Sequence, residues 1–125
     1  VVGVGNNSFR AEVYAKAAAL GFTFPNIIAE SAYISPFAEV GCGCIIMQHA
    51  CVQNGAKVGS GVILNAGVEV HCGGSVGDYA LLYTNSVVRT NAAVGDFARI
   101  GGNSTVCNDS TVPQGADIPD CTAVH

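Results

Sequence analysis

Residues 58–100 read VGSGVILNAGVEVHCGGSVGDYALLYTNSVVRTNAAVGDFARI. Counting in sixes from Val58 lands on Leu64, Val70, Val76, Leu82, Val88, Val94 and Ile100. The same comb runs back through Val52, Ile46, Val40 and Ile34 to Ile28, and forward through Val106, Val112 and Ile118 to Val124. All seventeen teeth are Ile, Leu or Val, although only 29 of the 125 residues are of those types. Independent draws would give such a run with odds of roughly 10⁻¹¹, so the period is a counted signal.

Two residues before most teeth stands a small side chain, as at Ala32, Ala38, Cys44, Ala50, Ala56, Gly74, Ala80, Ser86, Ala92 and Ala98. Side chains two apart on a strand face the same way. Each six-residue unit therefore sends one small and one medium aliphatic group inward, which suits a narrow interior. A period of six also demands a corner in every unit, so the strands are short. A second period lies on the first: Gly41, Gly59, Gly77 and Gly95 follow their teeth at intervals of 18, with Pro113 next in line. Three units per turn give a triangular prism whose coils stack about 4.8 Å apart, the ordinary strand spacing. The expectation is a mainly β protein, a parallel β-helix of about five 18-residue coils over 28–125, whose core exists only through stacking.

Residues 1–27 break the pattern. Val1 to Gly5 reads as a short strand, and Ser8 can cap a helix whose Phe9, Val13, Ala17 and Leu20 share one face, stopped by Gly21. The G-x-G at Gly3–Gly5 lacks both the further glycine and the βαβ setting of a nucleotide loop, so plain packing is the reading of this segment.

Composition narrows the function classes. A net charge of −4 argues against nucleic acid, and no Lys/Arg cluster marks a membrane-facing surface. No run approaches the roughly 18 apolar residues that span a bilayer, and no export signal is expected. Cys42 and Cys44 are spaced C-x-C, unlike the C-x2-C of common structural zinc sites, and the other four cysteines are scattered. They read as small buried hydrophobes in a reducing cytoplasm.

The residue before each tooth points outward, and sorting by 18 separates the prism's faces. Ile27, Ile45, Ile63, Leu81 and Arg99 form one column, an apolar stripe that needs cover. A cyclic homotrimer packed along it supplies that cover; the alternative is that the N-terminal helix covers it within one chain. Glu39, Lys57, Ser75, Ala93 and Thr111 make an ordinary solvated face. Tyr33, Cys51, Glu69, Val87 and Thr105 make the third, and beside it Gln53, His71, Arg89 and Cys107 recur at 18. Glu69 and His71, two apart on one strand, can face the same side. A carboxylate beside an imidazole holds its tautomer and leaves the other nitrogen free as a general base. The bland alternative is a solvated polar ladder at a corner.

The segments VGSGVILN, VGDYALL and IGGNSTV between Val58 and Val106 resemble those of hexapeptide-repeat acyltransferases. The branch most similar is that of the bacterial sugar acetyltransferases of the bacillosamine and sialic-acid type. The opening GVGNNSFRAEVYAKAAALGFTFPNIIAESAYISP looks like the segment joining that branch's sugar-nucleotide domain to its β-helix. The resemblance implies a left-handed coil and residues 1–27 as a remnant of an N-terminal α/β domain, with part of that domain and the C-terminal Gly-x-Pro-Ala tail absent. It also implies a homotrimer with active sites between neighbouring copies. Acetyl-CoA would serve as co-substrate, with a His base acting towards an amine or hydroxyl of a sugar, and no metal is expected. On this chain His71 and Glu69 become the catalytic candidates, and Arg89, Asn85, Gly101 and Gly102 the candidates for binding the cofactor. The relatives place their catalytic His two residues after a tooth, followed by an acid and then Cys. Here Cys72 and Gly73 hold that slot, His71 stands one residue early, and Asn85 replaces a usual Gly. Two rivals remain: a non-catalytic trimeric scaffold or ligand-binding protein, and a zinc hydratase on this fold. The latter needs three His around the metal, whereas His125 lies three coils from His71.

Overall fold

The structure, a computed structural model, describes residues 5–125. Most of the strand expected over 1–5 therefore lies outside the described residues. From Ile27 the chain makes seventeen two-residue strands, one every six residues, the last at Ala123–Val124. They sort into three parallel sheets, the sides of a prism. The first sheet pairs Ile27–Ile28, Ile45–Ile46, Ile63–Leu64, Leu81–Leu82, Arg99–Ile100 and Asp117–Ile118. The second runs from Tyr33–Ile34 to Ala123–Val124 and contains Glu69–Val70 and Val87–Val88. The third runs from Glu39–Val40 to Thr111–Val112.

Each strand pairs with those 18 residues away, so each tooth of the comb lies on another of its own sheet. The first sheet's teeth are all Ile or Leu, while Val fills the third throughout. From Ile46 to Val112 every tooth is buried, and together with Ala50, Ala56, Val62, Val68, Ala80, Ala92 and Ala98 they form one continuous core. Ser86 and Ser104 are fully buried as well, and each hydroxyl donates to a carbonyl, of Tyr83 at 2.8 Å and of Pro119 at 2.7 Å.

The corners follow a rule of their own. From Gly43 to Cys121, the third residue after each tooth has positive φ at all fourteen turns. Gly, Asn and Asp take ten of these positions, and His49, Tyr79, Phe97 and Cys121 the rest. Glycine accepts this left-handed conformation freely, while Asn and Asp tolerate it. The glycines directly after the teeth answer a different need. A Cβ on Gly77 would stand 2.5 Å from the Asp96 backbone nitrogen, so the coil above leaves no room for one.

The helix α1 spans Asn7–Ala19, capped by the Asn6 side chain, which accepts from the Phe9 N–H at 2.9 Å. Ser8, the cap expected from sequence, lies inside the helix. Gly21, at φ +88°, follows its end. The buried side is also not the expected one. Asn7, Arg10 and Tyr14 are buried, whereas Phe9 is 52% and Leu20 77% exposed. The reason lies in what the helix meets. It runs along the corner between the third and first sheets, where turn carbonyls stack coil upon coil. Asn7 Nδ2 donates to Phe97 O at 3.0 Å, Arg10 Nε to Gly61 O at 3.0 Å, Arg10 Nη2 to Tyr79 O at 2.8 Å, and the Tyr14 hydroxyl to Gly43 O. A surface of acceptors selects donors at i, i+3 and i+7, not an apolar face. Burial lowers the pKa of the Arg10 guanidinium. Tyr79 stacks on Phe97 with ring centroids 5.5 Å apart.

The apolar stripe is only partly open in one chain: Leu81 is 3% exposed, Ile45 and Ile63 are half-buried, and Ile27 is 57% exposed. The cysteines depart from expectation too. All six are free, but only Cys44 is buried, and Cys42, Cys72 and Cys121 are exposed, because those three sit in the outward part of a turn. No helix among the described residues is long and apolar enough to cross a membrane.

Candidate functional site

Glu69 belongs to the outward column of the second sheet, and His71 begins the corner that leads to the third. The His71 N–H donates to Val88 O at 2.8 Å and its carbonyl accepts from Gly74 N at 2.9 Å, so the backbone beneath the imidazole is fixed from both sides. Its Nε2 lies 3.5 Å from Glu69 Oε1, and both side chains are part-exposed. Arg89 stands one coil up at the same corner, its N–H bonded to Val106 O at 3.0 Å and its side chain exposed. Cys72, next to His71, donates from Sγ to Gln53 Oε1 at 3.5 Å, and Gln53 lies one coil below His71.

Asn85, Gly101 and Gly102 come together elsewhere. They occupy the corner between the first and second sheets, with Asn85 in the left-handed conformation at φ +60° and Gly101 buried. The Gly102 N–H donates to Asp120 Oδ1 at 2.8 Å. Within one chain the second sheet therefore separates the two groups of candidates: Glu69, His71 and Arg89 at one edge, Asn85, Gly101 and Gly102 at the other. Among the described residues no three His, Cys, Asp or Glu side chains are grouped so as to hold a metal ion.

One arrangement at this second corner escaped the sequence reading. Arg99 Nη2 donates to the Tyr83 hydroxyl at 2.6 Å, and its guanidinium carbon lies 5.3 Å from the Tyr83 ring centre. The signal was present, since Arg99 interrupts the apolar column directly above Leu81. Its partner, however, belongs to a different column, and columns taken singly do not reveal it.

A three-sided parallel β-helix with one small residue and one aliphatic tooth per unit defines a hexapeptide-repeat protein. No family model matches the chain, and no curated protein matches it. Among solved structures it is similar to the acetyltransferase domain of PglB from Neisseria gonorrhoeae FA1090, with TM-score 0.97 and 30% identity over 100% of this chain and 61% of that one. The same domain in complex with acetyl coenzyme A gives TM-score 0.90 and 32% identity over 98% of this chain and 65% of that one. Perosamine N-acetyltransferase from Caulobacter crescentus, in complex with CoA and GDP-perosamine, gives 0.71 and 24% identity over 98% and 63%, a likeness of fold alone. The chain thus spans less than two thirds of the length of each. The resemblance to hexapeptide-repeat sugar acetyltransferases seen in the sequence is present in the structure as well.

Proposed function

We propose that this chain transfers an acetyl group from acetyl-CoA to an amine or hydroxyl of a sugar or sugar nucleotide, with His71 as general base and Glu69 as its orienting carboxylate. The observation that carries the reading is the His71–Glu69 pair, 3.5 Å apart on an outward edge, in a chain similar throughout to a domain solved with acetyl-CoA. With the carboxylate facing Nε2, the proton sits there and the Nδ1 lone pair remains for catalysis. Nδ1 takes the acceptor's proton as its nitrogen or oxygen attacks the thioester carbonyl. The C–S bond then breaks, and the proton passes to the departing thiolate of CoA.

The chain works in this reading as a homotrimer. His71 and the Gly101–Gly102 corner lie at opposite edges of one sheet, so a cleft containing both forms between two copies rather than within one. Gly101 and Gly102 would let the coenzyme approach the backbone, with Asn85 and Arg89 along its path. The absence of disulfides among six cysteines suits a cytoplasmic setting.

The test is His71→Ala beside Cys72→Ser. A positioned general base contributes about 10²–10⁴-fold, so His71→Ala should lower the acetyl-transfer rate by that factor while CoA still binds, and Cys72→Ser should stay near wild type. A His71→Ala protein of undiminished rate would overturn the assignment. If the wild type neither binds CoA nor cleaves acetyl-CoA with any amino sugar, the non-catalytic trimeric binding protein becomes the better account, which Cys72 in the relatives' base position already favours over the remaining rivals.

A further inference from the structure

The corner between the first and second sheets carries a groove of about 400 Å³ lined by Tyr83, Thr84, Arg99, Gly102, Asn103 and Asp120. Its walls have opposite characters. On one side is the Arg99 guanidinium, held by the Tyr83 hydroxyl at 2.6 Å and lying against the Tyr83 ring. An exposed arginine ordinarily samples many rotamers; this one is fastened through one nitrogen, which leaves most of its five donors for a ligand. On the other side is Asp120, one of whose oxygens accepts from the Gly102 N–H at 2.8 Å while the other is left for an external donor. Gly102 keeps the floor low, since a Cβ there would meet Thr84 O at 3.3 Å and would itself project into the groove.

A bare anion suits Arg99 but is repelled by Asp120, and a bare cation suffers the reverse. The group that satisfies both walls carries phosphate and hydroxyl a few ångströms apart. We infer that this groove is a subsite for the ribose phosphate of a nucleotide. Phosphate oxygens accept from the Arg99 fork, a ribose hydroxyl donates to Asp120, and the Tyr83 ring flanks the base. Tyr83 is a positioning residue for Arg99. The assignment places the phosphate contact on Arg99 rather than Arg89. It rests on the acetyl-transfer reading only for the nucleotide's carrier, which is either coenzyme A or a nucleotide-linked sugar.

Calorimetry on the full chain with CoA, pantetheine, UDP and dUDP tests it, using wild type, Arg99→Gln, Asp120→Asn and Tyr83→Phe proteins whose unliganded melting temperatures match. Arg99→Gln should weaken at least one nucleotide ligand by about 10–100-fold, the range for a lost hydrogen bond to a charged group, and leave pantetheine unaffected. Sensitivity of CoA names the coenzyme as carrier; sensitivity of UDP, with dUDP weaker in wild type but not in Asp120→Asn, names the sugar nucleotide. Tyr83→Phe should weaken the same ligand several-fold in the wild-type background and have no effect in Arg99→Gln, a coupling that a structural role alone would not give. Nucleotide affinities unchanged in Arg99→Gln, or a wild type that binds no nucleotide, overturn the subsite. If CoA binds Arg99→Gln normally and acetyl transfer persists, only the subsite falls. If UDP binds through Arg99 while acetyl-CoA is neither bound nor cleaved, the subsite stands and the acetyl-transfer reading falls.

Discussion

At the scale of single residues, the fold is set by two requirements, and only one was legible in the sequence. The tooth of the comb stood out because its chemistry is uniform. The left-handed turn residue three places later is as regular in conformation but varied in identity, since His49, Tyr79, Phe97 and Cys121 hide the Gly, Asn and Asp around them. His49 is exposed at φ +61°, with its N–H on Ser31 Oγ, a bond that any residue could make. A side chain in this region costs about 1–2 kcal/mol, and glycine's extra unfolded-state entropy offsets about 0.5–1 kcal/mol of the relief. His49→Gly should therefore raise the melting temperature by about 1–3 °C, and His49→Val should lower it; the reverse order in thermal unfolding would contradict the corner rule. Cys44 gives a pH dependence. Burial raises its thiol pKa above the ordinary range, with the hydrogen bonds to backbone at Gly61 and Val62 opposing the shift only in part. The unfolded chain then loses this proton first, at about pH 8.5, so stability is full below that value and falls as pH climbs towards the folded-state pKa. Melting temperatures measured from pH 7 to 10 should decline at the alkaline end, and less so in Cys44→Ala.

Among the elements, α1 shows where a sequence pattern misleads. Its apolar residues share a face, and that face is the exposed one, because the surface it meets is a column of carbonyls. Periodicity reports which residues are alike; it does not report whether the partner surface is apolar or polar. The Glu69–His71 pair was legible because it lies along one strand, where residues two apart share a side by geometry alone. The Arg99–Tyr83 contact was not, because it joins an outward strand position to the corner of the coil below. A helix docked by donors depends on them, so Arg10→Ala should leave the Gly61, Tyr79 and Ala80 carbonyls short of partners. A loss of about 2–4 kcal/mol follows from several charge-assisted bonds taken together. Hydrogen exchange should then show amides of 7–19 losing protection while the strands from 45 to 112 keep theirs. Equal loss in both regions would mean that helix and coils unfold as one unit.

At the scale of the whole molecule, the three sides of the prism are unequal, and the inequality bears on the trimer proposed above. The third sheet presents Glu39, Lys57, Ser75, Ala93 and Thr111 outward, an ordinary wet surface. The first presents Ile27, Ile45, Ile63 and Leu81, and burial within one chain is complete only at Leu81. Because α1 lies along one corner and not across the sheet, it leaves Ile45 and Ile63 half-open at the middle of the stripe. A neighbouring copy that covers this stripe would also bring one chain's first-to-second corner towards another's second-to-third corner, as the cleft between His71 and Gly101–Gly102 requires. Ile63→Lys separates assembly from folding, since the side chain points outward and its strand keeps every backbone bond. A lysine there would be buried without a partner in the trimer yet solvated in a single chain, at a cost of several kcal/mol per interface. Light scattering should therefore show the variant as monomer under conditions where wild type is trimeric, with its β-rich circular dichroism spectrum retained. An unchanged trimer mass would place the interface on another face and, with it, the cleft.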